Sequence, residues 1–410
     1  MAGMSHTSDI LDFAAAPHAL LSQVRDDALR LLADTLAVMA AGANSPEAQK
    51  LQRTPTDQAF FKGFAIHCLE WDAVHEPAVV HALSVVTAAL LAISDRKGGC
   101  NADELLTALA VGVDIASGLG LSATGPMHFF RPATAGIIGA ALAMARLEGL
   151  PRNRMADVLG LAFSFAGGTM QAHVEASIAL PLQIGRAAQG AVQAVDLVKA
   201  GMSGPHNVLE GPFGYSKLVE PLDLGRYTAN LGKVWRISEV SIKPYPSGRA
   251  SHGALGVLAD LRNEGAVSLD TVLSVDLFAP PLIHRLVGRQ YQHDAPMSYN
   301  RLCLAFLAPL MLRDGHIDPR LNDAIPSLAE KVTVILDENP DGNAMSPQRL
   351  VVRLKDGSTI ERKIEANLGS PDVPMSLAQY AAKYDLCRAL APNCDPRIFD
   401  DPLSYATDPR

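Results

Sequence analysis

The sequence predicts a mainly α protein, with a large all-α domain followed by a smaller α+β domain, and three observations lead there. Long Ala-, Gly- and Leu-rich stretches with helical spacing fill about the first 230 of the 410 residues. Segments rich in β-branched residues begin only after Trp235. At roughly 100–200 residues per domain, the length itself calls for two domains. We place them at 1–240 and 241–410, with the C-terminal helix a candidate to pack back on the helical domain.

Ala28–Gly42 carries apolar residues at helical spacing and reaches a glycine, as at a C-terminal cap. Val80–Ile93, Ala102–Ile115, Ala133–Leu147, Met155–Ala166 and Ile184–Lys199 repeat the style. Asn101 before Asp103 and Glu104 reads as an N-cap with an acidic first turn. Beyond Trp235, strands are expected at Ile237–Ile242, Thr271–Phe278, Lys331–Leu336 and Leu350–Leu354. Asp356-Gly357 marks a hairpin. Helices are expected at Gly253–Arg262, Tyr299–Leu312 and Leu377–Leu390.

Composition narrows the function. Charged residues are 19% and hydrophobic residues 48% of the chain, which argues for an extensive core and against disorder. A net charge of −8 without a long basic run argues against nucleic acid as a partner. The N-terminal residues lack the pattern of a signal peptide. The longest uncharged run, Pro77–Ser94, has 18 residues and includes His81, Ser84 and Thr87. It reads better as the centre of a core than as a membrane span, so the expectation is a cytoplasmic protein. Five scattered cysteines suit a reducing compartment and offer no iron–sulfur motif. No metal or other cofactor is expected.

The densest chemistry lies between His67 and His81, where three histidines accompany Glu70, Asp72 and Glu76. The residue four after His75 is Val79, and Pro77 interrupts the helix, so no His-Glu-x-x-His zinc motif exists. A loop presenting acid and base groups remains, with His81 near the start of the next helix, where a neutral imidazole suits a general base. A merely polar lead-in to that helix is the competing reading. Gly118-Leu-Gly120 resembles a dinucleotide fingerprint, but helical sequence precedes it rather than a strand. The Lys243–His252 loop, fixed by Pro244 and Pro246, carries Lys243, Arg249 and His252 and suits carboxylates. A domain hinge with surface charges explains it equally well. His128 and Arg131, before another Ala/Gly helix, offer a further cation.

Five segments in this order resemble the MmgE/PrpD family. They are LLADTLAVMAAG (31–42), GFAIHCLEWDAVHEPAVVHALSVVTAAL (63–90), LLTALAVGVDIASGLG (105–120), HNVLEGPFGY (206–215) and SIKPYPSGRASHGAL (241–255). The resemblance implies a helical domain with an α+β lid, a homodimer, and a site between the domains that takes small di- or tricarboxylates without a cofactor. It implies catalytic roles for Glu70, Asp72, His81 and His252. His75, His128, Arg131, Lys243 and Arg249 are the expected substrate-binding groups. Phe130 and Leu180 stand where the family commonly has a histidine and a lysine. The functions implied are a dehydratase- or decarboxylase-like lyase or isomerase, with an epimerase or a non-catalytic binding paralogue as alternatives.

Overall fold

Small residues set how closely the helices of this protein approach one another. The computed structural model describes residues 5–320 and 324–408. Residues 1–4, the start of the N-terminal stretch considered above, lie outside the described residues. The helical domain comprises α1 (His6–Ala15), α2 (Ser22–Ala43), α3 (Gln58–His67), α4 (Ala82–Lys97), α5 (Ala102–Leu121), α6 (Arg131–Leu147), α7 (Arg152–Ser164), the single turn α8 (Gln171–Val174) and α9 (Ala179–Lys199). The tightest pair is α5 against α6; α4 and α9 pack on that pair, and α3 packs in turn on α2, α4 and α9. A Cβ on Gly139 of α6 would lie 2.3 Å from the Gly112 carbonyl oxygen of α5, so only glycine permits this crossing. Gly42 does not cap α2 as its position suggested. It lies inside the helix, where a Cβ would fall 1.9 Å from the Ala65 oxygen of α3. Asn101 does cap α5, its Oδ1 accepting from the amides of Asp103 and Glu104 at 2.9 and 3.1 Å.

Helix α5 is, among the described residues, the one helix long and apolar enough to cross a membrane. Its residues from Leu105 to Gly120 are buried against other helices, as in a core helix. The uncharged Pro77–Ser94 run becomes a loop followed by α4, likewise buried over most of its length.

The α+β part contains α10 (His252–Asn263), β1 (Val272–Ala279), α11 (Pro281–Val287), α12 (Leu304–Asp314), β2 (Val332–Leu336), β3 (Gln348–Leu354) and β4 (Thr359–Ile364). Strand order is β2-β1-β3-β4, with β1 and β2 parallel and the other pairs antiparallel. Helices α10 and α12 share a core with the sheet, built on Leu258, Phe306, Val275 and Val352. Asp356 and Gly357 turn the β3–β4 hairpin, Gly357 with φ 90°.

Two expectations fail locally. Ile237–Ile242 is not a strand: Arg236–Glu239 form a 3₁₀ turn, the Arg236 amide donates to Asp114 Oδ2 at 2.9 Å, and Ile237 and Val240 plug the helical core. Only Ser241 pairs in β fashion, with Val74. The Tyr299–Leu312 helix breaks at Arg301–Cys303, leaving a short turn at Met297–Asn300 before α12.

Three C-terminal helices, α13 (Leu377–Leu390), α14 (Arg397–Asp400) and α15 (Pro402–Thr407), return to pack on α2. The anchor of α13 is Lys383, buried with its Nζ 2.5 Å from Asp34 Oδ1 and 5.5 Å from the Trp71 ring centroid. Breaking such a buried pair leaves an uncompensated charge in the core.

Gly139→Ala should lower the unfolding free energy by about 1–3 kcal/mol through overpacking at the α5–α6 crossing. Urea titration followed by circular dichroism measures it. A change within about 0.5 kcal/mol, the range of ordinary surface substitutions, would show that the crossing can relax.

Candidate active site

A loop from Cys68 to His81 connects α3 to α4 and carries the chemistry. It is pinned by backbone pairing of His75 with Val80 and of Val74 with Ser241. Two residues in it, Glu70 and Val79, hold φ at 54°. Such a conformation in a β-branched residue costs on the order of 1–3 kcal/mol and persists only where the surroundings enforce it. The strained loop turns its side chains inward: Asp72 has no exposed surface, and Glu70 and His67 are buried.

Asp72 is the centre of the group. His67 Nδ1 lies 3.0 and 2.9 Å from its two carboxylate oxygens. His81 Nδ1 stands 3.0 Å from Oδ2, an ion-pair contact without hydrogen-bond alignment. Ser84 Oγ donates to Oδ2, and Lys243 Nζ is 3.9 Å from Oδ1. Lys243, itself fully buried, donates to the Glu70 carbonyl at 2.9 Å and lies 3.7 Å from Glu70 Oε2. The Glu70 carboxylate faces His67 Nε2 at 3.6 Å, and that nitrogen has no hydrogen-bond partner. The His67 and His81 rings meet edge to face, 4.9 Å between centroids.

These contacts push the two imidazoles apart in acidity. Burial works against a charge on His67, but Asp72 and Glu70 outweigh it and raise its pKa. Burial, with Lys243 nearby, lowers that of His81 despite Asp72. The helix ends act in the same sense: His67 closes α3, where a cation is favoured, and His81 precedes α4, where it is not. Burial alone would raise the carboxyl of Asp72, yet His67 and His81 hold it well below the usual range. Glu70 is likewise depressed against burial, by His67 and Lys243. The surroundings thus favour the protonated form of His67, the neutral form of His81 and the ionised form of both carboxylates.

His67, Glu70 and His81 line a cavity of about 70 Å³ between the two domains. Its other walls are largely apolar: Phe130 before α6, Met170, Leu180 at the start of α9, and Leu286, Val287 and Leu302 from the α+β part. His173 of α8 also faces it, with burial lowering its pKa to about 4. His67, Asp72 and His81 offer ligand atoms within 4.8 Å of one another, a set a divalent cation could use. The neighbouring Lys243 ammonium repels one there and suits a proton-transfer group better.

Residues 51–223 match the MmgE/PrpD N-terminal domain and residues 245–393 the MmgE/PrpD C-terminal domain. The chain belongs to the MmgE/PrpD family. It is 28% identical over 360 residues to cis-aconitate decarboxylase of Homo sapiens, covering 80% of this chain and 72% of that protein. With cis-aconitate decarboxylase of Aspergillus terreus it shares 25% identity over 435 aligned positions, 92% of this chain and 88% of that protein. A cis-aconitate decarboxylase-like protein of Aspergillus oryzae is 24% identical over 340 residues, 75% of this chain and 70% of that protein.

The expected site residues of this family member divide into those that meet and those that do not. Glu70, Asp72, His81 and Lys243 come together as described. His252 does not line the cavity: Arg249 NH1 meets its Nδ1 at 3.2 Å, Ser247 occupies its Nε2, and burial beside Arg249 holds its pKa well below the ordinary value. Both of its ring nitrogens are engaged, and it packs behind Arg249. His75 is tied to Glu239 at 2.9 Å and to the Ala78 amide, and so braces the loop. Arg131 is buried, its Nε bonded to both Glu220 oxygens at 3.0 and 2.9 Å and its NH1 to the Ala78 carbonyl, which leaves it outside the cavity wall. His128 is exposed, and only its backbone contributes, accepting from the Met170 amide. Arg249 reaches the cavity but pairs with Glu76 at 2.7 Å. His67, Glu76 and His173 were not among the expected site residues. His67 had a signal, since it opens the acidic block, whereas nothing in the sequence around His173 marks it.

Asp72→Asn should drop the His67 pKa below the ordinary imidazole value of about 6.5, because burial then acts with its strongest opposing charge removed. Histidine NMR titration reads this, and an unchanged His67 pKa would show that Asp72 does not hold its proton.

Proposed function

We propose that this protein is a lyase acting on a small carboxylic acid, of the dehydratase or decarboxylase type, with His67 and His81 as its acid and base. The observation that carries this reading is one buried carboxylate, Asp72, shared by two imidazoles whose surroundings shift their acidities in opposite directions and which both line the cavity. Environments that split two titratable groups assign the acid and the base. The named decarboxylases to which the chain is similar support the reaction type.

Neutral His81, its Nδ1 turned to Asp72, would use Nε2 to take a proton from the carbon next to the substrate carboxylate. In a dehydration, His67, held through Nδ1, would deliver its Nε2 proton to the leaving hydroxyl; in a decarboxylation the electron pair left by departing carbon dioxide takes the place of the abstracted proton, and His67 alone would protonate the carbon. Asp72 orients both rings and offsets the imidazolium charge, as the acid of a hydrolase triad does for its histidine. Lys243 balances Asp72 and Glu70. An epimerase is the second reading, supported by His173, a neutral imidazole on a different wall of the same cavity.

On this proposal the rate rises with pH as His81 loses its proton, below the ordinary imidazole range, and falls as His67 loses its own, above it. The profile is a bell. His67→Gln should remove the alkaline limb and His81→Gln the acidic one, each lowering kcat by about 10²–10⁴-fold. Release of carbon dioxide or water, against inversion alone, separates the two readings. Full turnover in both variants would end the assignment.

The homodimer implied by the family is likewise a proposal, supported by exposed Met202, Phe213 and Leu218 on one segment of the helical domain. Sedimentation at micromolar concentration should give a dimer, and a monomer would contradict it.

A further inference from the structure

Arg301 carries a buried charge that no acid answers. It lies in the break between the Met297–Asn300 turn and α12 and is 4% exposed. NH1 donates to the Cys68 carbonyl at 3.0 Å and NH2 to the Pro319 carbonyl at 3.2 Å. Nε is buried without a hydrogen-bond partner, and among the described residues no carboxylate stands within ion-pair distance of the guanidinium. Two carbonyls ask only for a neutral donor. A full positive charge in that position is costly unless something negative joins it.

The same side chain lines a recess of about 10 Å³, room for one water-sized group. Glu70, Leu180 and Leu302 border both this recess and the cavity of His67 and His81, so the two spaces adjoin. Ile178, Leu180 and Pro181 bring in the first turn of α9, whose positive end favours an anion. Ser177 already meets the Ala179 amide through Oγ at 3.2 Å and the Leu180 amide through its carbonyl at 3.1 Å. The helix therefore supplies field, and Arg301 supplies donors. Among the described residues, Glu70 is the one acid on the recess wall, and its carboxylate faces Lys243 at 3.7 Å and His67 at 3.6 Å. Arg289 strengthens the positive side. Its NH2 donates to the His173 carbonyl at 3.0 Å, its NH1 is buried without a partner, and it lies 4.9 Å over the ring of Tyr299, the neighbour of Ser298 in the recess wall. Neither Arg289 nor the exposed Arg285 has a carboxylate partner among the described residues.

We propose that Arg301 is a specificity-determining residue, whose unmet Nε–H holds an oxygen of a second substrate carboxylate, remote from the carbon that reacts at His67 and His81. The remote carboxylate enters the recess past Leu180 and Leu302 and neutralises the buried guanidinium, so the site selects diacids over monoacids of the same length. This rests on the cavity being the site of a small carboxylic acid, and it names the group that reads the far end of that acid.

The test compares pentanedioate with pentanoate by calorimetric titration of the full chain. The diacid should bind at least roughly tenfold more tightly. Equal binding, tighter binding of the monoacid, or no binding of the diacid at millimolar concentration overturns the proposal. Arg301→Gln should bring the ratio of affinities to about one while leaving that for pentanoate within about twofold. Equal losses for both acids would mark a purely structural arginine and overturn it. Ser298→Asp keeps the Arg301 bonds to both carbonyls and gives the recess an acid of its own, so it decides the matter where Arg301→Gln fails to fold. It should erase the preference, and a Ser298→Asp chain that still prefers the diacid counts against Arg301. Arg289→Gln should retain the preference, and its loss there alone would move the anchor to Arg289 and overturn the assignment. The acid/base reading is judged separately, by turnover of His67→Gln and His81→Gln. A diacid preference that depends on Arg301 upholds the recess even where both histidine variants keep full turnover, and its absence overturns the recess even where both lose it.

Discussion

Asp72 is a charged carboxylate with no exposed surface, and a group of that kind survives in a core only where its partners are fixed. Two imidazoles, a serine hydroxyl and a lysine surround it, drawn from α3, from the connecting loop, from α4 and from the 241–252 loop. The constraint runs outward from there. The loop bearing Asp72 tolerates positive φ at Glu70 and Val79 because the carboxylate and its partners define where it must pass. Lys243 anchors the second domain to that loop by donating to the Glu70 carbonyl, so the electrostatics of the site also help hold the two domains together.

Such a centre needs rigid supports, and the helical domain supplies them through close contact. Glycine and alanine at α5–α6 and α2–α3 bring backbones together at distances a larger residue forbids. Helix α3 is held from one side by α2 and from the other by α9, which fixes the direction in which His67 leaves its end. The C-terminal helices close the structure over α2, and Lys383 ties them both to Asp34 and to the Trp71 carbonyl, next to Asp72 in sequence. The stability of the chain's end and the position of the site are in this way linked through one buried ion pair.

The pattern of paired cations separates chemistry from recognition. The groups proposed to transfer protons line the cavity: His67, whose Nε2 has no hydrogen-bond partner, and His81. The arginines that a sequence reader would assign to substrate carboxylates are instead saturated by Glu76 and Glu220. A buried guanidinium is inexpensive only when its donors are met; Arg131 and Arg249 find partners within the protein, whereas Arg289 NH1 is buried without one.

The helical first part, the strands after position 270, the Asp356-Gly357 hairpin and the Asn101 cap could be read directly from the chain, because periodicity and capping are local properties. The acidic, histidine-rich block was legible for the same reason, as was its membership of one site with Lys243 through the ordered motifs of the family. What the sequence could not decide were partnerships across long separations. Gly42 reads as a cap but serves a helix contact with Ala65, and Ile237–Ile242 reads as a strand but has only Val74 and the helical core to meet. Arg131 reads as a binding cation until Glu220, 89 residues away, neutralises it, and His252 reads as a base until Arg249 and Ser247 take both of its nitrogens. Which of twelve histidines faces an empty space, and which is already bonded, follows from how the helices cross, and only the tertiary structure sets that.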